Sequence, residues 1–145
     1  VAGIFTAVNE SVWEHTKMVL WPVILWWSLY GWLQKEVQEI DQNKWFAGAL
    51  TALGISIVTI PLLYYFYTEA FGVEVLWVDI LILLLAVCFG QLLGWHVYRY
   101  GNGISKKLVI SIFIGVVVLF AWFTFFPPHI PLFQDDVTGT YGIRL

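Results

Sequence analysis

The chain has 145 residues, 60% of them hydrophobic, 19% aromatic and only 12% charged, with a mean hydropathy of +0.80. That is too little charge to cover the surface of a water-soluble domain. Seven Lys and Arg against ten Asp and Glu give a formal net charge of -3, and with no basic stripe to displace condensed counterions the chain is not built to bind nucleic acid.

The first feature in chain order is the stretch NESVWEHTK, Asn9 to Lys17. Read as the start of a helix, it offers Asn9 as the N-cap and places Glu10 in the first turn, where the helix dipole favours an acid. Glu10 and Glu14 then share one face at i,i+4, about 5–6 Å apart, and repel each other. Lys17, a shared proton or a bound cation should offset that repulsion. His15 follows Glu14 directly, unlike the i,i+3 and i,i+4 pairs of bundle metal sites.

Apolar runs follow at about 18–33, 45–67, 75–98 and 108–126, each near the roughly 20 residues a bilayer helix requires. The first becomes long enough if its helix begins inside the opening motif. Strand alternation is absent, and only helices close their own hydrogen bonds in lipid. The expected fold is therefore all-α: a polytopic transmembrane bundle with four spans in this chain. Pro22 and Pro61 fall inside spans and predict kinks. Cys88 lies within the third run, where an internal disulfide is impossible with one cysteine and a small packed hydrophobe is the expected role.

The connections QKEVQEIDQNK, TEAFGVE and RYGNGISKK are short, as between antiparallel neighbours. No linker divides the chain, so residues 1–145 read as a single integral membrane domain. Lys35 and Lys44 flank the first connection, and Arg99, Lys106 and Lys107 the third; the positive-inside rule places both in the cytoplasm. The opening motif, the second connection and the C-terminal tail then share the outer face. The aromatic residues near span ends, among them Trp13, Trp45, Tyr64 and Tyr67, read as interfacial belts.

Asp79 lies about one turn inside the third span, where an ionised carboxylate needs a partner. Lys17, His15, His129 or a cation could supply it. Pro127-Pro128 stops the fourth helix, and residues 127–145 form an extramembrane tail in which Pro131 holds His129 extended and Asp135-Asp136 precede a turn. Either the tail caps the bundle or it simply leaves the membrane.

With VNESVWEH and FPPHIPLFQDDVTGTYGI both in view, the chain resembles, over nearly its whole length, a family of small multi-pass membrane proteins of bacteria, chiefly Firmicutes. The resemblance implies a further hydrophobic segment upstream of the opening motif, in keeping with a start at Val1. The intact protein would then have a fifth span, an inner N-terminus and a place in the bacterial cytoplasmic membrane. It implies no activity.

The functional expectation is an outer-face pocket of Glu10, Glu14, His15, Asp79 and His129, supported by Asn9, Lys17 and Asp135, that binds a divalent cation or a small polar ligand. In an enzymatic version these groups hold Zn²⁺, lower the pKa of its water for hydrolysis at the lipid interface, and use Glu14 as general base. A small ion or solute transporter or channel component, with Asp79 and the proline kinks lining a path, is the alternative. A non-catalytic subunit or scaffold is another. The lipid bilayer is the one partner these residues name; protein partners and homo-oligomerisation stay open.

Overall fold

The computed structural model describes residues 2–7, 10–37 and 39–142. Four α-helices follow one another: α1 (Val12–Gln34), α2 (Gln42–Phe71), α3 (Leu76–Tyr100) and α4 (Lys106–Phe125), with single 3₁₀ turns at Ala2–Ile4 and Pro131–Phe133. Among the described residues there is no β-strand, only one antiparallel bridge between Gln134 and Tyr141.

Local signals set the helix ends. Ser11 is the N-cap of α1 and accepts from the Glu14 backbone N–H at 3.3 Å. Glu10 is therefore outside the helix, and it is not the i,i+4 neighbour of Glu14 that the sequence reading expected. Asn9, the expected cap, lies outside the described residues. Asp41 caps α2 by accepting from the N–H groups of Asn43 and Lys44. Gly72, at φ 64°, ends that helix in the left-handed conformation that costs glycine least. Both α1 and α2 run through their prolines, Pro22 and Pro61, without a break.

Three of the helices, α2, α3 and α4, are long and apolar enough to cross a membrane. By length α1 also suffices, but its tryptophans, Pro22, Ser28 and Gly31 dilute its apolar character, so by length and composition together only the other three qualify among the described residues. Of the most apolar part of each of these three helices, 39% is buried in α2 and 17% in α3 and in α4. α2 is thus the central element, and most of α3 and α4 offers Leu, Ile, Val and Phe to the surroundings, as lipid requires.

The closest approach is between α2 and α3. Gly48, Ala52 and Ser56 recur every four residues on α2, as Ala86, Gly90 and Gly94 do on α3. A Cβ on Gly94 would lie 2.6 Å from the Gly48 carbonyl oxygen, and one on Gly90 would lie 2.5 Å from that of Ala52. The Ser56 hydroxyl sits within hydrogen-bond distance of the Ala52 and Ala86 carbonyls, at 2.8 and 3.1 Å. Small residues at this spacing let two membrane helices pack backbone to backbone, where dispersion contacts drive association.

Nearer the start of α2, Trp45 is buried against Trp27 and donates its indole N–H to the Trp27 carbonyl at 3.1 Å; Gly31 leaves room for the ring. The reading of Trp45, Tyr64 and Tyr67 as interfacial anchors is corrected here, because all three are core residues. Cys88 departs from expectation in the opposite sense: it is exposed on α3, since burial on that helix follows the Ala86–Gly90–Gly94 stripe.

Candidate functional site

The antiparallel order of the helices sorts most of the charges, with Glu36, Glu39 and Asp41 remaining beside the cations. Lys35, Lys44, Arg99, Lys106 and Lys107 lie at the end where α1 and α3 finish and α2 and α4 begin. The two connections touch there, with the Ile104 N–H donating to the Asn43 carbonyl at 3.2 Å. Glu10, Glu14, Glu69, Glu74, Asp79, Asp135 and Asp136 belong to the opposite end.

That opposite end holds two separate polar groupings. In the first, the fully buried Lys17 ammonium directs all three of its protons at oxygens: Glu14 Oε2 at 2.6 Å, Thr124 Oγ1 at 2.7 Å and the Gly3 carbonyl at 2.9 Å. Thr124 in turn donates to the Phe120 carbonyl at 2.8 Å. This arrangement ties the N-terminal turn, α1 and α4 together. Every ammonium donor is satisfied, which is the condition under which a buried charge is tolerated. Lys17 is thereby committed, and the anticipated pairing of Asp79 with Lys17 gives way to a different partner.

The second grouping assembles where α2 ends. Tyr67 donates its hydroxyl to Asp79 Oδ1 at 2.6 Å, and one turn earlier the Tyr64 hydroxyl faces two carboxylates, Asp136 Oδ2 at 2.6 Å and Glu74 Oε1 at 2.8 Å. His15 joins from α1. Its ring, Tyr64 and Asp79 line one water-sized cavity of about 10 Å³ closed by Val12, Ile60, Ile82 and Leu83. Glu10 lies behind, with Oε2 3.5 Å from His15 Nε2, an ion pair when His15 is protonated.

Asp136 reaches this grouping because the tail folds back. Pro127 and Pro128 end α4, and the next turn inserts Phe133, buried, beside Trp13 and Phe123 with ring centroids 4.8 and 5.2 Å away. Trp13 also stacks on Phe120 at 4.3 Å. Asp135 is mostly buried and accepts from the N–H groups of Val137 and Thr138, so it shapes the turn that follows. The Asp136 carboxyl is held above its ordinary value of 3.8. Desolvation is the main cause and repulsion from Glu74 adds to it, against the lowering effects of the Tyr64 hydrogen bond and of His15.

The residues expected from the sequence thus part company. His15, Asp79 and Glu10 come together; Glu14 and Lys17 form their own pair. His129 is exposed in the tail with its ring 4.7 Å from that of Tyr141, and it does not line the cavity. Tyr64, Tyr67, Glu74 and Asp136 were missing from the expected set. Their signal was available, since Tyr64 and Tyr67 stand at i,i+3 at the foot of a short loop carrying Glu74. Among the described residues, no three His, Cys, Asp or Glu side chains stand ready to hold a metal ion.

No curated protein and no solved structure matches the chain. A family model does match residues 1–143. That covers nearly the whole chain, end motifs and helices alike, and the protein therefore belongs to the family of unknown function DUF6512.

Proposed function

We propose that the protein is a four-span protein of the cytoplasmic membrane whose outer end binds a small, hard cation between Glu74, Tyr64 and Asp136. Placing α1 in the bilayer is supported by its length and by Leu25, Trp26, Leu29, Trp32 and Leu33, all of them exposed large apolar side chains. The distribution of cations supports the orientation. Five of the seven Lys and Arg side chains gather at the end we assign to the cytoplasm.

The observation that carries the binding reading is the Tyr64 hydroxyl, which has a single proton and meets two carboxylate oxygens within 2.8 Å. One carboxylate accepts that proton. The other contact needs either a proton on that carboxyl, which then donates, or a cation bridging Glu74 and Asp136. Carboxylates and phenols are oxygen donors, which suit Mg²⁺ or Ca²⁺ better than Zn²⁺, and a Mg²⁺-type ion commonly takes only one or two carboxylates and keeps part of its water. Asp79, hydrogen-bonded to Tyr67, adds negative potential nearby. Glu14 is outside this reading because its carboxylate is paired with Lys17, and a hydrolytic role for it draws no support from that position.

The test is equilibrium dialysis of detergent-purified protein against calcium or magnesium, with the retained metal measured by emission spectrometry. Stoichiometric retention by wild type, lost in Asp136→Asn and Glu74→Gln and weakened in Tyr64→Phe, is the expected result. Wild type that retains neither ion overturns the reading.

A further inference from the structure

At the acidic end α1 and α4 are joined by the Lys17–Thr124 hydrogen bond. Farther along, a crevice remains between them, floored by α2. Its inner part is an apolar hollow of about 200 Å³ walled by Ile24 of α1 and by Ile110, Phe113 and Ile114 of α4. A second hollow of about 450 Å³ continues it, sharing Trp27, Ser28, Trp45 and Phe46 with the first.

This second hollow is polar at its far end, where Lys35 and Lys106 line it, with Glu39 as the one opposing acid. The Lys106 ammonium donates to Gln42 Oε1 at 2.7 Å and lies 5.4 Å from the centre of the Phe46 ring, so it stands directly over the crevice. Lys106 also opens α4, where its backbone N–H is taken by Asn43 Oδ1 at 3.3 Å, so its ammonium is the group this residue offers at the mouth. An apolar slot within the span that ends in two ammonium groups at the membrane surface has the chemistry of an amphiphile site with a negative head.

We propose that this crevice binds an anionic phospholipid of the cytoplasmic leaflet. One acyl chain lies between Ile24 and Phe113, and the phosphate meets Lys35 and Lys106. A second copy of the chain fits poorly, because in the same membrane orientation it would bring its own cationic end against these lysines. The proposal depends on α1 lying in the bilayer but not on the cation site, which is at the opposite end of the bundle.

Native mass spectrometry of the full chain released from detergent, with dioleoylphosphatidylglycerol or dioleoylphosphatidylcholine added at equal concentration, tests it. Wild type should retain one phosphatidylglycerol in preference to phosphatidylcholine. The Lys35→Gln/Lys106→Gln variant, altered only at exposed positions, should bind phosphatidylglycerol about thirtyfold more weakly, the effect of two lysines at an anionic surface. Ser28→Phe, which fills the junction of the two hollows from an exposed site, should lose the lipid with both lysines intact. Equal retention of the two lipids, unchanged phosphatidylglycerol binding in either variant, or a dimer that excludes lipid would overturn the proposal.

Discussion

Replacing Lys17 by Met is the sharpest perturbation the structure offers. The side chain is fully buried, and its ammonium lies 2.6 Å from Oε2 of Glu14, whose own side chain is 4% exposed. Methionine matches the length of the lysine stem but removes the charge, which leaves a buried carboxylate facing the apolar side chain and orphans the contacts to Thr124 and Gly3. Removing one partner of a buried pair costs about 3–5 kcal/mol, whereas removing both is often neutral. For a chain of this size that corresponds to a loss of about 10 °C or more in Tm. The assay is thermal unfolding in detergent, followed by fluorescence of the nine tryptophans. The variant Glu14→Gln/Lys17→Met should recover a large part of the loss. A Lys17→Met protein with unchanged Tm, or a double variant no more stable than the single one, would refute the reasoning.

Three further outcomes follow from the packing and the charges. Gly90→Ala should destabilise by about 1–3 kcal/mol, because its Cβ would collide with Ser56 and with the Ala52 carbonyl, whereas Gly54→Ala, with nothing within 4 Å, should be neutral in the same unfolding assay. The Trp13 indole N–H is buried without a hydrogen-bond partner among the described residues, so Trp13→Phe should change stability by no more than about 1 kcal/mol, and Trp13→Ala, which empties the stack with Phe120 and Phe133, should cost about 3–5 kcal/mol. Because the native Asp136 carboxyl is raised above 3.8, folding takes up a proton there. The stabilisation from that proton is complete below 3.8 and lost as pH rises through the raised value, so metal-free wild type should unfold at higher temperature as pH falls toward that window, and Asp136→Asn should flatten the dependence.

The helices were legible because apolar runs of spanning length alternate with short polar connections, and Pro127-Pro128 prevents α4 from continuing. The start of α1 was read two residues early, since Asn and Ser cap about equally well. What was missed lies mostly in the choice between two uses of one residue type. Tyrosines near a span end suit a lipid interface; the nearness of Glu74 in sequence hinted at a second use, and the folded-back Asp136 and the placement of Asp79 show Tyr64 and Tyr67 as hydrogen-bond donors. The four-residue repeat of Gly, Ala and Ser along α2 and α3 was present in the sequence as a packing signal, while the pairing of the two repeats depends on tertiary placement. Lys17 meeting Thr124, 107 positions away, is of the same kind: helix periodicity leads Lys17 to Glu14 and carries no information about α4.

Terbium luminescence tests the cation reading most directly, because Tb³⁺ occupies hard oxygen sites of the Ca²⁺ type and emits when a neighbouring aromatic ring absorbs. Tyr64 stands at the proposed site, and Tyr65 is the next residue, its ring 5.4 Å from that of Tyr64. Titration of the purified protein with Tb³⁺ should give saturable sensitised emission that calcium displaces, strongly reduced in Asp136→Asn and in Glu74→Gln. Absence of sensitised emission in wild type, or emission of equal strength in Asp136→Asn, would contradict a cation site at Glu74, Tyr64 and Asp136.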